Sequence, residues 1–77
     1  MNIKPTSWIV VDKHGRRLCK DKRFRDIAWL GTFPENLKFF RYKKSAVKYL
    51  TNEGRRVIPL YKNDEIDACG KIYRKNQ

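Results

Sequence analysis

Apolar and polar positions separate most clearly over residues 8–20, WIVVDKHGRRLCK. Residues 8–11 form the longest unbroken apolar run, and three of them are β-branched. The run stops at a turn from Asp12 to Gly15, where glycine can take a left-handed backbone and aspartate can accept a bond from the backbone two residues on. The pattern therefore predicts a β-hairpin. Its predicted register opposes Val11 with Arg17, Val10 with Leu18, and Ile9 with Cys19.

The hydrophobic pattern weakens after the hairpin. Residues 21–26 are too charged and too weakly periodic to assign. Residues 27–30 are apolar and end at Gly31, which favours irregular structure packed by Trp29, with a short third strand as the alternative. Pro34 limits residues 33–36 to a turn or a single helical turn.

The middle of the chain predicts a strand followed by a helix. Residues 37–42, LKFFRY, alternate imperfectly and are rich in aromatics, which favours a strand covered on both faces. Residues 45–54 predict a short helix, capped at Ser45 or just before it and ended by Gly54 in a left-handed conformation. Its predicted buried stripe is Ala46, Val47 and Leu50.

The last part predicts a closing strand and an acidic loop. Residues 55–61, RRVIPLY, contain Pro59, which cannot donate to a ladder, so this is an edge strand or carries a bulge. Acids cluster in residues 63–67, a predicted surface loop, and residues 70–73 predict a last short pairing before residues 74–77 fray. Together the elements predict an α+β fold: a small single-layer antiparallel sheet, hairpin first, packed by one short helix.

Length and charge narrow the class of protein. Seventy-seven residues predict one small basic domain, residues 1–77, with a thin core. Nineteen Lys and Arg against eight Asp and Glu give a net charge of +11, which destabilises a compact state and indicates a polyanionic partner. The expected partner is nucleic acid, DNA or RNA, or an acidic host protein; simple solubilisation is the alternative. We expect no membrane partner and no small-molecule substrate.

The cysteines and the lack of targeting signals predict a cytoplasmic protein. Nothing approaches the ~20 apolar residues of a membrane span, and no apolar leader or lipidation signal is visible. Cys19 and Cys69 lie far apart without a CxxC pair, which predicts reduced thiols, with a disulfide between them as the alternative.

A first cationic cluster occupies the hairpin and the residues after it. Seven cations fall within thirteen residues, interrupted only by Asp21. A two-stranded ribbon could enter a major groove, and arginines could make bidentate contacts or stack on bases. The alternative is a solvated outer face. The cluster comprises Lys13, Arg16, Arg17, Lys20, Lys22, Arg23 and Arg25.

A second cationic cluster surrounds the predicted helix start, with no acid between Asn36 and Asn52. Helix N-termini favour anions, so lysines there could reinforce a phosphate site. Lysines in the first turn of a helix also interact unfavourably with the helix dipole, which lowers stability. Their presence therefore indicates that they are kept for binding. The cluster comprises Lys38, Arg41, Lys43, Lys44 and Lys48. The predicted binding surface is the first cluster extended by Arg41, Lys43, Lys44 and Lys48.

Catalysis finds little support in the sequence. His14 is the only histidine and falls in a turn, and two distant cysteines cannot complete a usual zinc site. The acids Asp64, Glu65 and Asp67 lack the partners and cleft of acid–base chemistry. We expect no enzyme activity, no metal and no cofactor. A small metal-independent nuclease that uses cations to stabilise phosphorane charge is a third hypothesis.

Several segments resemble small uncharacterised early proteins of tailed bacteriophages. These are WIVVDKHGRRLCKD, FRD-x-A-x-x-G-T, the basic strand leading into SAVKYL, and D-x-x-G-K near the end. The resemblance carries over no functional residue. It implies a context, a cytoplasmic phage product that binds host nucleic acid or host machinery.

Two functional hypotheses follow. The first is a non-enzymatic module that binds nucleic acid, or a host nucleoprotein machine, through its cations, with Tyr42 and Phe24 as the aromatics best placed to stack on bases. The second is a protein–protein inhibitor that docks on an acidic surface, where cations steer association and an exposed Trp29 or Phe33 anchors it.

Overall fold

The computed structural model describes residues 4–26, 29, 31–51 and 53–74. It confirms an α+β fold, with one short helix between two groups of three strands. In chain order the elements are β1 (Ser7–Val11), β2 (Arg17–Leu18), β3 (Phe24–Arg25), α1 (Lys43–Val47), β4 (Arg56–Leu60), β5 (Glu65–Ile66) and β6 (Ile72–Tyr73).

The first four strands form an antiparallel sheet in the order β3-β2-β1-β4. The closing strand β4 pairs with the whole of β1, from Ser7 opposite Leu60 to Val11 opposite Arg56. It lies at the edge of this sheet, as Pro59 predicts. The hairpin strands β1 and β2 are therefore the two central strands.

The first turn confirms the predicted chemistry. Gly15 has a φ of 80° and donates its N–H to the carbonyl of Asp12 at 3.0 Å. The Asp12 carboxylate accepts the amide of His14 at 2.9 Å, two residues on. Val11 lies opposite Arg17, as expected.

The predicted pairing of Ile9 with Cys19 is wrong, because another segment enters between the strands. Phe40 bridges to Trp8 of β1, and Leu37 bridges to Cys19 just after β2. Cys19 therefore faces Leu37 rather than Ile9. Residues 37–42 form these two isolated bridges instead of the predicted strand.

Residues 21–26, which the sequence left unassigned, form a second turn and β3. The N–H of Cys19 bonds the carbonyl of Arg23 at 2.8 Å, and the N–H of Lys22 bonds the carbonyl of Cys19 at 2.9 Å. The first turn has the same two bonds, from Asp12 to Arg16 and from Gly15 to Asp12. Lys22 thus occupies the position of Gly15, with a φ of 69°.

The helix begins earlier and ends sooner than predicted. Its N-cap is Tyr42, which makes no side-chain cap bond, so Ser45 lies inside the helix. Beyond Val47, the amide of Leu50 bonds the carbonyl three residues back, which tightens the chain into a turn. Gly54 is left-handed, with a φ of 79°, but it belongs to the turn before β4.

Both faces of the sheet are covered, which adds a layer to the predicted single sheet and helix. On one face α1 packs Ala46 against Val10, Leu18 and Phe40. On the other, Ile66 of β5 and Ile72 of β6 pack against Ile9, Val11 and Leu60. A third cluster, Cys19, Phe33 and Leu37, packs against Trp29 and joins this side through Ile66.

The acidic segment is more ordered than predicted. Glu65 and Ile66 form β5 rather than a loop, and the predicted pairing over residues 70–73 is confirmed by β6. Of the helix's predicted buried stripe, Ala46 is buried and Leu50 is half-buried, but Val47 is exposed. Residues 75–77, which were predicted to fray, lie outside the described residues. Of the predicted irregular segment, residues 27, 28 and 30 also lie outside them, and Trp29 is not part of a strand.

Candidate nucleic-acid interface

The structure separates the first cationic cluster into three places along β2. Two members lie in the first turn, two project from strands, and three lie in the second turn, at the opposite end of β2. In that order they are Lys13 and Arg16, then Arg17 and Arg25, then Lys20, Lys22 and Arg23. Because β1 and β2 are flanked by β4 and β3, their ribbon is not free to enter a groove.

The two strand arginines are engaged within the protein. Arg17 is half-buried and donates from Nη1 to the carbonyl of Gly15 at 2.8 Å. Burial lowers its pKa, partly offset by the charges of Asp26 and Asp67. Arg25 projects from β3 directly opposite Arg17.

Arg25 is held on two sides. Its Nη2 pairs with the carboxylate of Asp21, and its guanidinium lies 4.3 Å from the centre of the Trp29 ring. The hydrogen bond from Arg25 is the main reason that the pKa of Asp21 is lowered. Only 23% of the Arg25 side chain is exposed, so Arg25 is not a free phosphate-binding cation.

Arg16 is committed to the first turn. Its Nε lies 2.7 Å from Oδ2 of Asp12, and its backbone amide donates to the other carboxylate oxygen, Oδ1, at 2.8 Å. Burial raises the pKa of Asp12, but the bonds from Arg16 and from the His14 amide outweigh it and lower the pKa overall. This turn is therefore built around an internal ion pair.

Nine of the eleven predicted site cations are exposed. Two of them, Lys13 and Arg16, lie in the first turn; of the other seven, three lie in the second turn and four at or beside the helix. In the part of the chain that the structure describes, Lys22 and the three helix lysines make no side-chain hydrogen bond or ion pair. We call these seven the cationic surface: Lys20, Lys22, Arg23, Arg41, Lys43, Lys44 and Lys48.

Residues 36–42 join the two halves of the cationic surface. The carbonyl of Asn36 accepts the amide of Lys20 at 2.8 Å, and the amide of Lys38 donates to Leu18 at 3.0 Å. Tyr42, at the other end, caps α1. Six residue steps span at most about 20 Å. The segment can therefore lie beside no more than about six phosphates of a duplex strand.

The helix presents a mixed cationic and apolar face. Lys43 and Val47 lie one turn apart, as do Lys44 and Lys48, and all four are exposed, Val47 to 42%. Five residues are too few for an anion site at the helix N-terminus, so the lysines themselves, rather than the predicted helix dipole, are the available anion-binding groups.

Tyr42 is the aromatic best placed for stacking. It is 56% exposed, and the Arg41 guanidinium lies 5.7 Å from its ring centre. Phe24 is covered instead: the guanidinium of Arg55 lies 4.5 Å from its ring centre and donates to the carbonyl of Tyr49.

Several acids are tied into the opposite layer. Asp67 accepts the amides of Lys71 and Cys69 in the β5–β6 turn, each at 2.9 Å, and the Lys71 bond is the main cause of its lowered pKa. Asp64 accepts the amide of Tyr61 at 2.9 Å and lies 3.6 Å from Nε of Arg74. These carboxylates neutralise local backbone and side-chain donors rather than the cationic surface.

The groups considered for catalysis are scattered. Within residues 4–26, 29, 31–51 and 53–74, no three His, Cys, Asp or Glu side chains lie close enough to hold a metal. Both cysteines are free; Cys19 is buried, which raises the pKa of its thiol, and Cys69 is exposed. No helix of the described chain has the length and apolar character needed to cross a bilayer.

Comparisons with known proteins found no relative of this chain. No protein-family model matches the chain, and neither a curated protein nor a solved structure matches it. The function must therefore be inferred from the charges, exposure and contacts of the described residues.

Proposed function

We propose that this chain is a non-enzymatic module that binds nucleic acid through the cationic surface. The observation that supports the proposal is the exposure of four cations, Arg41, Lys43, Lys44 and Lys48, beside an exposed Tyr42, in a stretch without acids. A solvated face normally mixes both signs. In the context that the phage resemblance implies, such a module acts in the cytoplasm on host nucleic acid or a host nucleoprotein machine.

Binding would proceed mainly through phosphates. The lysines displace counterions from the backbone, which supplies affinity without base sequence, while the net charge of +11 accelerates encounter. Tyr42 can add a sequence-tolerant stacking contact next to Arg41. The partner is thus recognised by charge and by accessible bases.

The first test is fluorescence anisotropy of labelled duplex DNA, single-stranded DNA and structured RNA at several salt concentrations. If all seven cations of the surface contact phosphates, log K should fall with log salt with a slope of about −5 on single strands and about −6 on duplex DNA. Absence of binding near physiological salt would contradict the proposal.

Two triple variants with equal charge locate the interface. Each lowers the net charge from +11 to +8 by replacing three exposed lysines with glutamine. The helix variant should reduce the salt slope by about 2, whereas the control should leave it nearly unchanged. Equal losses would mean that net charge alone drives binding. The helix variant is K43Q/K44Q/K48Q, and the control is K4Q/K13Q/K62Q.

A second candidate is docking on an acidic protein surface, which exposed Val47 among the helix lysines favours. The predicted anchors do not serve it, since Phe33 is fully buried and Trp29 packs its ring against Phe33 at 5.4 Å. V47S should leave nucleic-acid affinity within about twofold if phosphates are the partner. A loss of about tenfold or more would favour an apolar anchor instead.

A further inference from the structure

A small cleft opens beside the second turn, at one end of the cationic surface. Its volume is about 170 Å³. This is well below the roughly 300–1,000 Å³ of pockets for drug-sized ligands, so it can take one planar ring at most. The cleft is lined by Cys19, Lys20, Asp21, Arg25, Trp29 and Asn36.

One wall of the cleft is a fixed aromatic. The Trp29 ring lies so close over Gly31 that a Cβ at that position would overlap it, and the edge of Phe33 meets it at 70°. On the Trp29 ring lies the guanidinium of Arg25. Aromatic rings and guanidinium planes are the two surfaces on which proteins stack unpaired bases.

The polar groups of the cleft suit a base better than a phosphate. The Arg25 guanidinium lines the cleft and carries N–H donors. The Asp21 carboxylate and the Asn36 amide oxygen are acceptors, and a carboxylate repels phosphate but accepts the N–H groups of bases. Donor and acceptors together match the mixed edge of a nucleobase.

We propose that this cleft holds one unstacked base of a single strand, while Lys20, Lys22 and Arg23 hold the adjoining phosphates. The inference rests on the proposed function and specifies its ligand: single-stranded nucleic acid, DNA or RNA, rather than duplex. A paired base cannot enter, because its edges are engaged and its faces are stacked. Lys20 lines the cleft, and Lys22 and Arg23 are exposed on the same turn, so a backbone that passes this turn lies beside the cleft.

The test compares three labelled probes with the wild-type protein: a single strand of about eight nucleotides, an abasic strand of equal length, and a duplex of equal length. The normal strand should bind about tenfold more tightly than the abasic strand, with nearly the same salt slope, since the phosphates are unchanged. DNA and RNA versions show which sugar is preferred.

The outcomes separate this inference from the function on which it rests. Equal affinity for normal and abasic strands, with a steep salt slope, would overturn the base site and leave phosphate binding standing. Tighter binding of the duplex than of the normal strand would also overturn the base site. Failure of every probe to bind near physiological salt would overturn both.

Two variants distinguish the cleft from the exposed tyrosine. W29L should reduce the preference for the normal strand over the abasic strand to less than about threefold, provided that thermal unfolding shows an intact fold. Y42L removes the other candidate stacking surface at a solvent-exposed position and should lower the preference by less than W29L does. If Y42L abolishes it instead, the base stacks on Tyr42 and the cleft is not its site, whatever becomes of the W29L fold.

Discussion

Replacing Lys22 with glycine should stabilise the protein and weaken its binding at the same time. Lys22 has a left-handed backbone, with a φ of 69°, in a turn bonded like the one that contains Gly15, whose φ is 80°. Only the first of these turns has the residue that its backbone favours. The second carries a lysine, which is exposed on the cationic surface.

The magnitude follows from backbone strain and chain entropy. A left-handed conformation costs a residue with a Cβ about 1–2 kcal/mol, while glycine adds roughly 0.5–1 kcal/mol of unfolded-state entropy. The net gain for Lys22→Gly is therefore about 0.5–1 kcal/mol. In a domain of this size that raises Tm by about 2–8 °C.

Thermal and denaturant unfolding would measure the gain, with two controls from the same chain. K22A keeps the strain but removes the charge, so the difference between K22A and K22G isolates the backbone term. G15A introduces the strain into the first turn, where a Cβ meets no atom within 4 Å, and should destabilise by about 0.5–1 kcal/mol. If K22G is no more stable than K22A, Lys22 carries no strain and the reasoning fails.

Binding measurements on the same variants test whether strained Lys22 contacts the nucleic acid. K22G and K22A should lose nucleic-acid affinity equally, and each should reduce the salt slope by about 0.7 on single strands, because each removes one phosphate contact. The stabler variant would thus bind less well. Unchanged affinity in both would place Lys22 outside the interface.

Three further outcomes are expected. D12N should destabilise the fold by about 1–3 kcal/mol near neutral pH, because it weakens the hydrogen bonds that the charged carboxylate accepts. The folded-state pKa of Asp12 is lowered, so its contribution to stability is present above pH about 4 and is lost as pH falls through the lowered pKa. Unfolding free energies measured against pH would show this loss. E35Q removes an exposed carboxylate adjacent to Asn36 and should raise nucleic-acid affinity modestly in anisotropy titrations. P59V combined with R74A should promote self-association in sedimentation experiments, whereas the wild type should show no change over the same concentrations. In the wild type Pro59 has no N–H to donate, and Arg74 donates a hydrogen bond to the Pro59 carbonyl on the outer edge of β4.

The sequence predicted what local chemistry decides. The first turn needed only Asp12 and Gly15, and both bonds follow from their own side chain or backbone. Pro59 likewise excluded a central strand by lacking an N–H, and β4 lies at the edge. The lysine in the second turn gave no such signal, because its left-handed backbone is set by the pairing of β2 with β3.

What depends on distant contacts was not predicted. The predicted pairing of Ile9 with Cys19 failed because residues 37–40 enter beside β1 and β2, and nothing local marks that insertion. The helix was placed too late because Ser45 and Gly54 are good caps by type, while Tyr42 starts the helix without one. Neither the cleft beside Trp29 nor the covering of Phe24 by Arg55 has a signal in the linear pattern.

The division of the first cationic cluster has a geometric reason that bears on function. Neighbouring strand residues point to opposite faces, so seven cations in thirteen residues cannot all share one surface when the strands are central and both faces are covered. Arg17 and Arg25 are therefore half-buried, and the exposed cations of the cluster lie in the two turns. Residues 36–42 connect the exposed cations of the second turn to the helix lysines. A nucleic acid that follows charge must therefore run from this turn along that segment to α1, past the cleft and Tyr42, rather than across a sheet face.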